Sequence, residues 1–161
     1  MIEARARAAT DHARAVYGQV LASSEVAALS LDESLDSAAI LAALSGTMLV
    51  FWLAHVYART VAERVEGRAP SRGAIAAAMR LEWPLVQAAA PAAVALTLGI
   101  VGIVSTHTAV VLAICLGAAN LFGWGIAIGR RASLGAGPTL AVAIVNALFG
   151  LGVVLLKVAI H

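Results

Sequence analysis

Five polar side chains lie inside stretches of sequence that are otherwise apolar. They are Glu25, Ser45, Thr47, Asn120 and Asn146. Carboxylate, hydroxyl and amide groups can replace the water around an ion or a small solute. Each is costly to place in hydrocarbon, about 2.5–3.5 kcal/mol for a centred charge, so such residues indicate function by default. We therefore take these five as the candidate lining of a polar pathway.

Two further polar groups are defined by their depth along the helices that the sequence predicts. Glu25 and Lys157 fall near enough to each other to form an ion pair in the outer half of a membrane. His55, Tyr57 and Gln87 fall together near the opposite, cytoplasmic boundary. Asn120 and Asn146 share a depth, so a hydrogen bond between them is an alternative to a role in the pathway.

The motifs of common enzymes are missing from the sequence. It contains no His-Glu-x-x-His, no Gly-x-Ser-x-Gly and no Gly-x-x-x-x-Gly-Lys. The four histidines alternate between the two faces of the predicted topology, and the single cysteine, Cys115, lies within an apolar run. We expect no catalytic residues, no metal site and no cofactor.

Composition places these residues in a membrane protein. The chain is 61% hydrophobic and only 12% charged, with a mean hydropathy of +0.92. Soluble domains carry about twice that charged fraction. Residues 1–161 form one helical domain, and four apolar runs exceed the roughly 20 residues that a spanning helix needs. These runs are 37–58, 84–104, 108–128 and 139–160.

A fifth stretch, 13–31, is less apolar because it includes Gln19, Ser23, Ser24 and Glu25. Gln19 and Ser23 follow one helical stripe. That pattern fits a fifth span packed on protein, or an amphipathic helix on the surface of a four-span protein. Five spans place ten of the eleven basic residues on one face, namely Arg5, Arg7, Arg14, Arg59, Arg64, Arg68, Arg72, Arg80, Arg130 and Arg131.

Because cytoplasmic loops carry the excess of Lys and Arg, that face is the cytoplasm. The charge distribution thus favours five spans over four. It predicts an all-α, multi-pass protein of the cell membrane with a cytoplasmic N-terminus and an outside C-terminus.

The segment 59–82 is predicted to form a cytoplasmic helical hairpin, in which Arg59 and Glu63 are spaced as an i,i+4 pair. Pro84 suits the first turn of the following span, where a missing N–H costs little. Pro91 is expected to kink that span.

Small residues mark faces where helices can approach closely. Gly125 and Gly129 form a Gly-x-x-x-Gly pair, and Ala119 and Gly123 a looser one. We expect these to pack within the bundle, with a homodimer seam as the alternative.

The layout resembles the vacuolar iron transporter family, most clearly over 108–161, where Leu121-Phe-Gly-Trp-Gly-Ile-Ala-Ile-Gly-Arg-Arg131 precedes the last apolar run. The resemblance implies the five-helix fold. The chain departs from that family at Val20, Leu21 and Ala22, which stand where the family has an acidic residue. We therefore expect no metal site from the resemblance. The chain also looks like small uncharacterised membrane proteins of high-GC bacteria, in stretches such as Phe51-Trp-Leu-Ala-His-Val-Tyr-Ala-Arg59.

Two functions compete on the sequence alone. The first is a small ion or solute transporter or channel lined by the five polar residues. The alternative is a non-transporting membrane scaffold or partner subunit that assembles through small-residue helix faces. A net charge of +2, with basic residues beside the spans, argues against nucleic acid as a partner. The remaining expected partner is the lipid bilayer.

Overall fold

The computed structural model describes the backbone of residues 2–67 and 71–160, and the side chains of 13–67, 71–152, 154, 155 and 159. Within these residues every regular element is an α-helix. The helices are α1 (Ile2–Leu29), α2 (Ser37–Val65), α3 (Arg72–Gln87), α4 (Ala90–Ile100), α5 (Thr106–Arg131) and α6 (Ala136–Ile160). The all-α class is confirmed.

Side chains of short polar residues start three of these helices. Asp36 accepts a hydrogen bond from the Ala39 N–H before α2 (2.8 Å), and Ser105 accepts one from the Thr108 N–H before α5 (3.2 Å). Ser71 does the same for the Ala74 N–H before α3 (3.1 Å). Each cap satisfies one of the N–H groups that a helix start leaves without a partner. Ser71 therefore sets where the second arm of the hairpin at 59–82 begins.

The predicted span 84–104 differs from the structure. Pro84 lies inside α3 rather than in the first turn of a new helix, so the expectation for Pro84 is wrong. The chain instead bends by 56° between α3 and α4, directly before Pro91. The expected kink at Pro91 is present as a helix break, since proline cannot supply the N–H that a continuous helix would use there.

The helix with the most polar residues occupies the centre of the bundle. α1 contacts each of the other five helices. Its residues Ala22 and Val26 are fully buried, in a core shared with Ile40, Leu44 and Met48 of α2 and with Leu85 of α3. The part of α1 from Ala22 to Ala27 is thus largely enclosed by other helices, whereas Tyr17 is 46% exposed.

Within the described residues, two helices, α2 and α5, are each long and apolar enough to cross a membrane. The bent pair of α3 and α4 qualifies as a third if the two are taken together, and α6 contributes the shorter apolar stretch Ala136–Gly152. The structure therefore has two to three helices that could cross a membrane, as a membrane protein requires.

Large apolar side chains cover the outside of the bundle. Val50, Ile103 and Phe149 are each at least 65% exposed, although water would penalise such exposure. Lipid chains, in contrast, are as apolar as these side chains and impose no such cost.

The Gly-x-x-x-Gly pair packs inside the bundle. A methyl group at Gly125 would meet the backbone of Ala143, and one at Gly129 would meet Thr139 Oγ1 at 2.8 Å. Both glycines of α5 are thus covered by α6 of the same chain, as expected for packing within the bundle. A homodimer seam would have to use another face.

Candidate functional site

A chain of amide and hydroxyl groups joins α1 to α5 in the middle of the bundle. Asn120 Nδ2 donates to Gln19 Oε1 at 2.7 Å, and Gln19 Nε2 donates to Ser23 Oγ at 3.3 Å. Gln19 is 0% exposed and Ser23 3%. A buried amide without partners would cost several kcal/mol, so these bonds are what allow Gln19 to lie there.

Gly117 makes room for this polar group. A Cβ at Gly117 would lie 2.5 Å from Ser23 Oγ and 2.8 Å from Gln19 Nε2. It lies on the same helix as Asn120, three residues earlier and therefore on the same face. One face of α5 thus supplies both the space for Gln19 and the group that binds it. Sequence reasoning recognised the stripe of Gln19 and Ser23 but did not include either among the pathway residues.

Glu25 and Thr47 form a second polar pair, between α1 and α2. The Thr47 hydroxyl donates to Glu25 Oε1 at 3.2 Å, and both side chains are half-buried. The proposed ion pair of Glu25 with Lys157 falls on a side chain outside the described residues. Two of the five predicted pathway residues are therefore brought together here.

The other predicted pathway residues lie apart from these pairs. Asn146 Nδ2 donates to Val142 O of its own helix at 3.0 Å, so Asn120 is paired with Gln19 rather than with Asn146. Ser45 is exposed on the outer face of α2 and donates to Leu41 O. Asn146 also lines an open, mostly apolar groove between α1 and α6.

An ionic cluster joins α1, α2 and α3 at the end of the bundle away from Glu25 and Thr47. Arg14 Nε of α1 lies 2.8 Å from Glu82 Oε2 of α3, and Arg59 Nε of α2 lies 3.6 Å from Glu82 Oε1. The side chains of Arg14 and Glu82 are 15% and 5% exposed. Arg59 is therefore paired with Glu82, and the expected pairing with Glu63 is wrong. The sequence feature that could have predicted this cluster is Glu82, a carboxylate directly before Trp83 and Pro84.

The residues His55, Tyr57 and Gln87 do not form one cluster. His55 Nδ1 donates to Phe51 O at 2.8 Å, and its ring centroid lies 6.0 Å from that of Tyr17. Tyr57 is 72% exposed and Gln87 is also exposed. Among the side chains that the structure describes, no hydrogen bond or ring contact joins the three.

At the end of the bundle away from Glu82, an open cavity of about 630 Å³ lies between the α1–α2 loop and the start of α5. Asp32, Glu33, Asp36 and His107 contribute to its lining. In the described part of the chain, no three His, Cys, Asp or Glu side chains are grouped closely enough to hold a metal ion.

Over the described residues, the fold and these contacts define an all-helical bundle with large apolar side chains outside and a few paired polar side chains within a mostly apolar core. No known protein family, curated protein or solved structure matches the chain. The resemblance to the vacuolar iron transporter family therefore stays a prediction.

Proposed function

We propose that the chain is a multi-pass protein of the cell membrane in which α1, α2, the bent α3–α4 pair, α5 and α6 all cross the bilayer. The N-terminus lies in the cytoplasm and the C-terminus outside. The distribution of arginines supports this orientation. The contacts of α1 with all five other helices support its crossing, because a helix whose polar side chains are covered by protein need not be apolar itself.

Within the membrane, we propose that the bundle acts as a non-transporting scaffold or partner subunit. The observation that carries this proposal is the pairing of its polar side chains. Gln19, Ser23 and Asn120 satisfy one another, and Ser45 and Asn146 bond to their own helices. A conduction path would instead require polar groups that face a shared wet cavity.

The outer face of α2 offers the contact that such a subunit needs. Ala38, Ala42 and Gly46 are exposed at steps of four, and nothing lies within 4 Å of a Cβ built at Gly46. Small residues at this spacing allow another helix to approach closely in lipid. The contact partner is a second copy of the chain or another membrane protein.

Cysteine crosslinking in native membranes tests this proposal. Gly46→Cys in a Cys115→Ala background is expected to form a disulfide-linked dimer or an adduct with a partner. Ile144→Cys, exposed on α6, serves as the matched control and is expected to crosslink less. A protein that remains single, uncrosslinked and free of co-purifying chains would contradict the scaffold proposal.

Transport is the second candidate, and Glu25 is the residue that favours it. This half-buried carboxylate has a hydroxyl partner, Thr47, and no ion pair among the described side chains. Such a group could take up a proton or a cation. Proteoliposome fluxes of protons and divalent cations should then fall in Glu25→Gln and persist in the exposed control Glu33→Gln. Background flux in the unmodified protein would exclude this candidate.

A further inference from the structure

A row of large apolar side chains is exposed along α3. Ile75, Met79 and Trp83 follow one another at steps of four, and they are 39%, 37% and 47% exposed. Residues at this spacing share one face of a helix. The opposite face, with Ala78 and Leu85, is buried in the bundle. α3 is therefore amphipathic, and its row of large apolar side chains is only partly covered by the rest of the bundle.

The exposed charged side chains of α3 are positive. Arg72 and Arg80 are exposed, and they are the basic residues of α3. The acidic residue of the helix, Glu82, is 4% exposed and is held by Arg14 and Arg59. Because that carboxylate is buried and already neutralised, it does not offset the field of Arg72 and Arg80.

Two tryptophans hold α3 against α2. Trp52 Nε1 donates to Met79 O at 3.2 Å, and the rings of Trp52 and Trp83 meet edge to face with centroids 5.9 Å apart. Indole rings favour the boundary between lipid and water, where the ring is in apolar surroundings and its N–H is bonded. This pair thus locates the C-terminal half of α3 at the level of a membrane boundary.

We propose that the first part of α3, from Arg72 to Trp83, lies in the cytoplasmic interface, where the α3–α4 pair enters the bilayer, and that it binds anionic phospholipids. Ile75, Met79 and Trp83 insert among the acyl chains. Arg72 and Arg80 extend to the phosphate groups, with their aliphatic stems along the apolar surface. A partly exposed apolar face with the exposed cations Arg72 and Arg80 on the same helix fits anionic lipid better than a zwitterionic one. The proposal rests on the membrane insertion argued above and is independent of whether the bundle transports anything.

Quenching of tryptophan fluorescence by brominated lipids tests the proposal on the full chain. Trp124→Phe leaves Trp52 and Trp83 as reporters, both beside α3. The protein is reconstituted in mixed phosphatidylcholine and phosphatidylglycerol vesicles, with bromine on one lipid at a time. Quenching should show that phosphatidylglycerol occupies the surface of α3 at least about fivefold more readily than phosphatidylcholine, the factor that a single one of the two arginines supplies near an anionic surface.

Charge variants decide where the selectivity arises. The double variant Arg72→Gln, Arg80→Gln should reduce the ratio of phosphatidylglycerol to phosphatidylcholine binding, measured by quenching, to near one. The double variant Arg72→Lys, Arg80→Lys should retain most of this ratio, because the positive charges remain. Arg130→Gln with Arg131→Gln removes the same charge from the end of α5 and should leave the ratio unchanged. Circular dichroism and gel filtration report whether each variant is folded.

Three results would overturn the proposal. The first is equal quenching by the two brominated lipids, and the second is an equal loss of selectivity in the control at Arg130 and Arg131. The third is the absence of quenching by either lipid, because the face of α3 would then be covered by a second copy or another protein.

Discussion

Gln19 illustrates how a single polar residue is accommodated at the centre of an apolar bundle. Its amide is fully buried and bonds to Asn120 on α5 and Ser23 on its own helix. The space for it exists because residue 117 has no side chain. The polar contact between α1 and α5 therefore depends as much on Gly117 as on the groups that bond.

Gly117→Ala is expected to destabilise the protein. The added methyl group would lie against Ser23 Oγ and Gln19 Nε2, which must move within a packed interior. Overpacking of this kind costs about 1–3 kcal/mol. Thermal unfolding in detergent micelles measures the change.

Gly123→Ala provides the matched control, since a Cβ at Gly123 has no neighbour within 4 Å. It should leave stability unchanged or raise it by up to about 1 kcal/mol, because alanine is the better helix former. If Gly117→Ala were as stable as Gly123→Ala, the polar contact would not be tightly packed.

Asp32, in the loop between α1 and α2, gives a pH prediction. The Ser34 hydroxyl (2.6 Å) and then the Ser34 N–H (3.0 Å) donate to Asp32 Oδ1 and lower the pKa of that carboxyl below its ordinary 3.8. A pKa lowered by folding stabilises the fold above pH 3.8, and this contribution disappears as the pH falls through the folded-state pKa.

Ser34→Ala should therefore raise the pKa of Asp32 toward 3.8. Carboxyl ¹³C chemical shifts followed against pH measure this change. Ser30→Ala is the control, because the Ser30 hydroxyl donates to Ala27 O instead. An unchanged Asp32 titration in Ser34→Ala would show that the turn is not formed in solution.

The partner of Asn120 shows which part of the site the sequence could predict. Apolar neighbours on both sides of Asn120 predicted an amide within the membrane. The depth of a residue along a helix, however, does not give the direction in which its side chain points. Asn146 shares that depth but bonds to its own helix, and the true partner is on the less apolar α1.

At the scale of elements, helix ends were more predictable than helix continuity. The last two apolar runs, 108–128 and 139–160, correspond to α5 and α6 with short extensions. The run 84–104 was misplaced, because α3 begins twelve residues before it, at Arg72, and continues through Pro84. Contacts of α3 with α1 and α2 hold it as one helix to Gln87, and those contacts join residues distant in sequence.

Glu82 is the residue that links α1, α2 and α3, and Glu82→Gln tests that role. The variant would leave Arg14, which is 15% exposed, facing an uncharged amide. Removing one member of a fully buried ion pair costs about 3–5 kcal/mol. Because Arg59 is 32% exposed, we expect a smaller loss here, about 2 kcal/mol.

Thermal unfolding in micelles again gives the measurement, and the exposed Glu33→Gln should leave the midpoint unchanged. Equal midpoints for the two variants would contradict a stabilising role for this cluster.

At the scale of the whole molecule, large apolar side chains are exposed on the outside, and a mostly apolar core also holds a few polar side chains. Exposed Val50, Ile103 and Phe149 surround a bundle whose fully buried residues include Gln19. Periodicity within a single segment cannot reveal this arrangement, because the burial of α1 is set by the other five helices. The composition of the entire chain does indicate it.

Cysteine accessibility provides the test of the proposed topology. In a Cys115→Ala background, Glu33→Cys between α1 and α2 should react with a membrane-impermeant maleimide in intact cells. Ser133→Cys between α5 and α6 should react only after the membrane is opened, because Arg130 and Arg131 retain that loop in the cytoplasm. If residue 33 were labelled only from inside, α1 would lie on the cytoplasmic face, and the central place of Gln19 in a lipid-surrounded bundle would have to be abandoned.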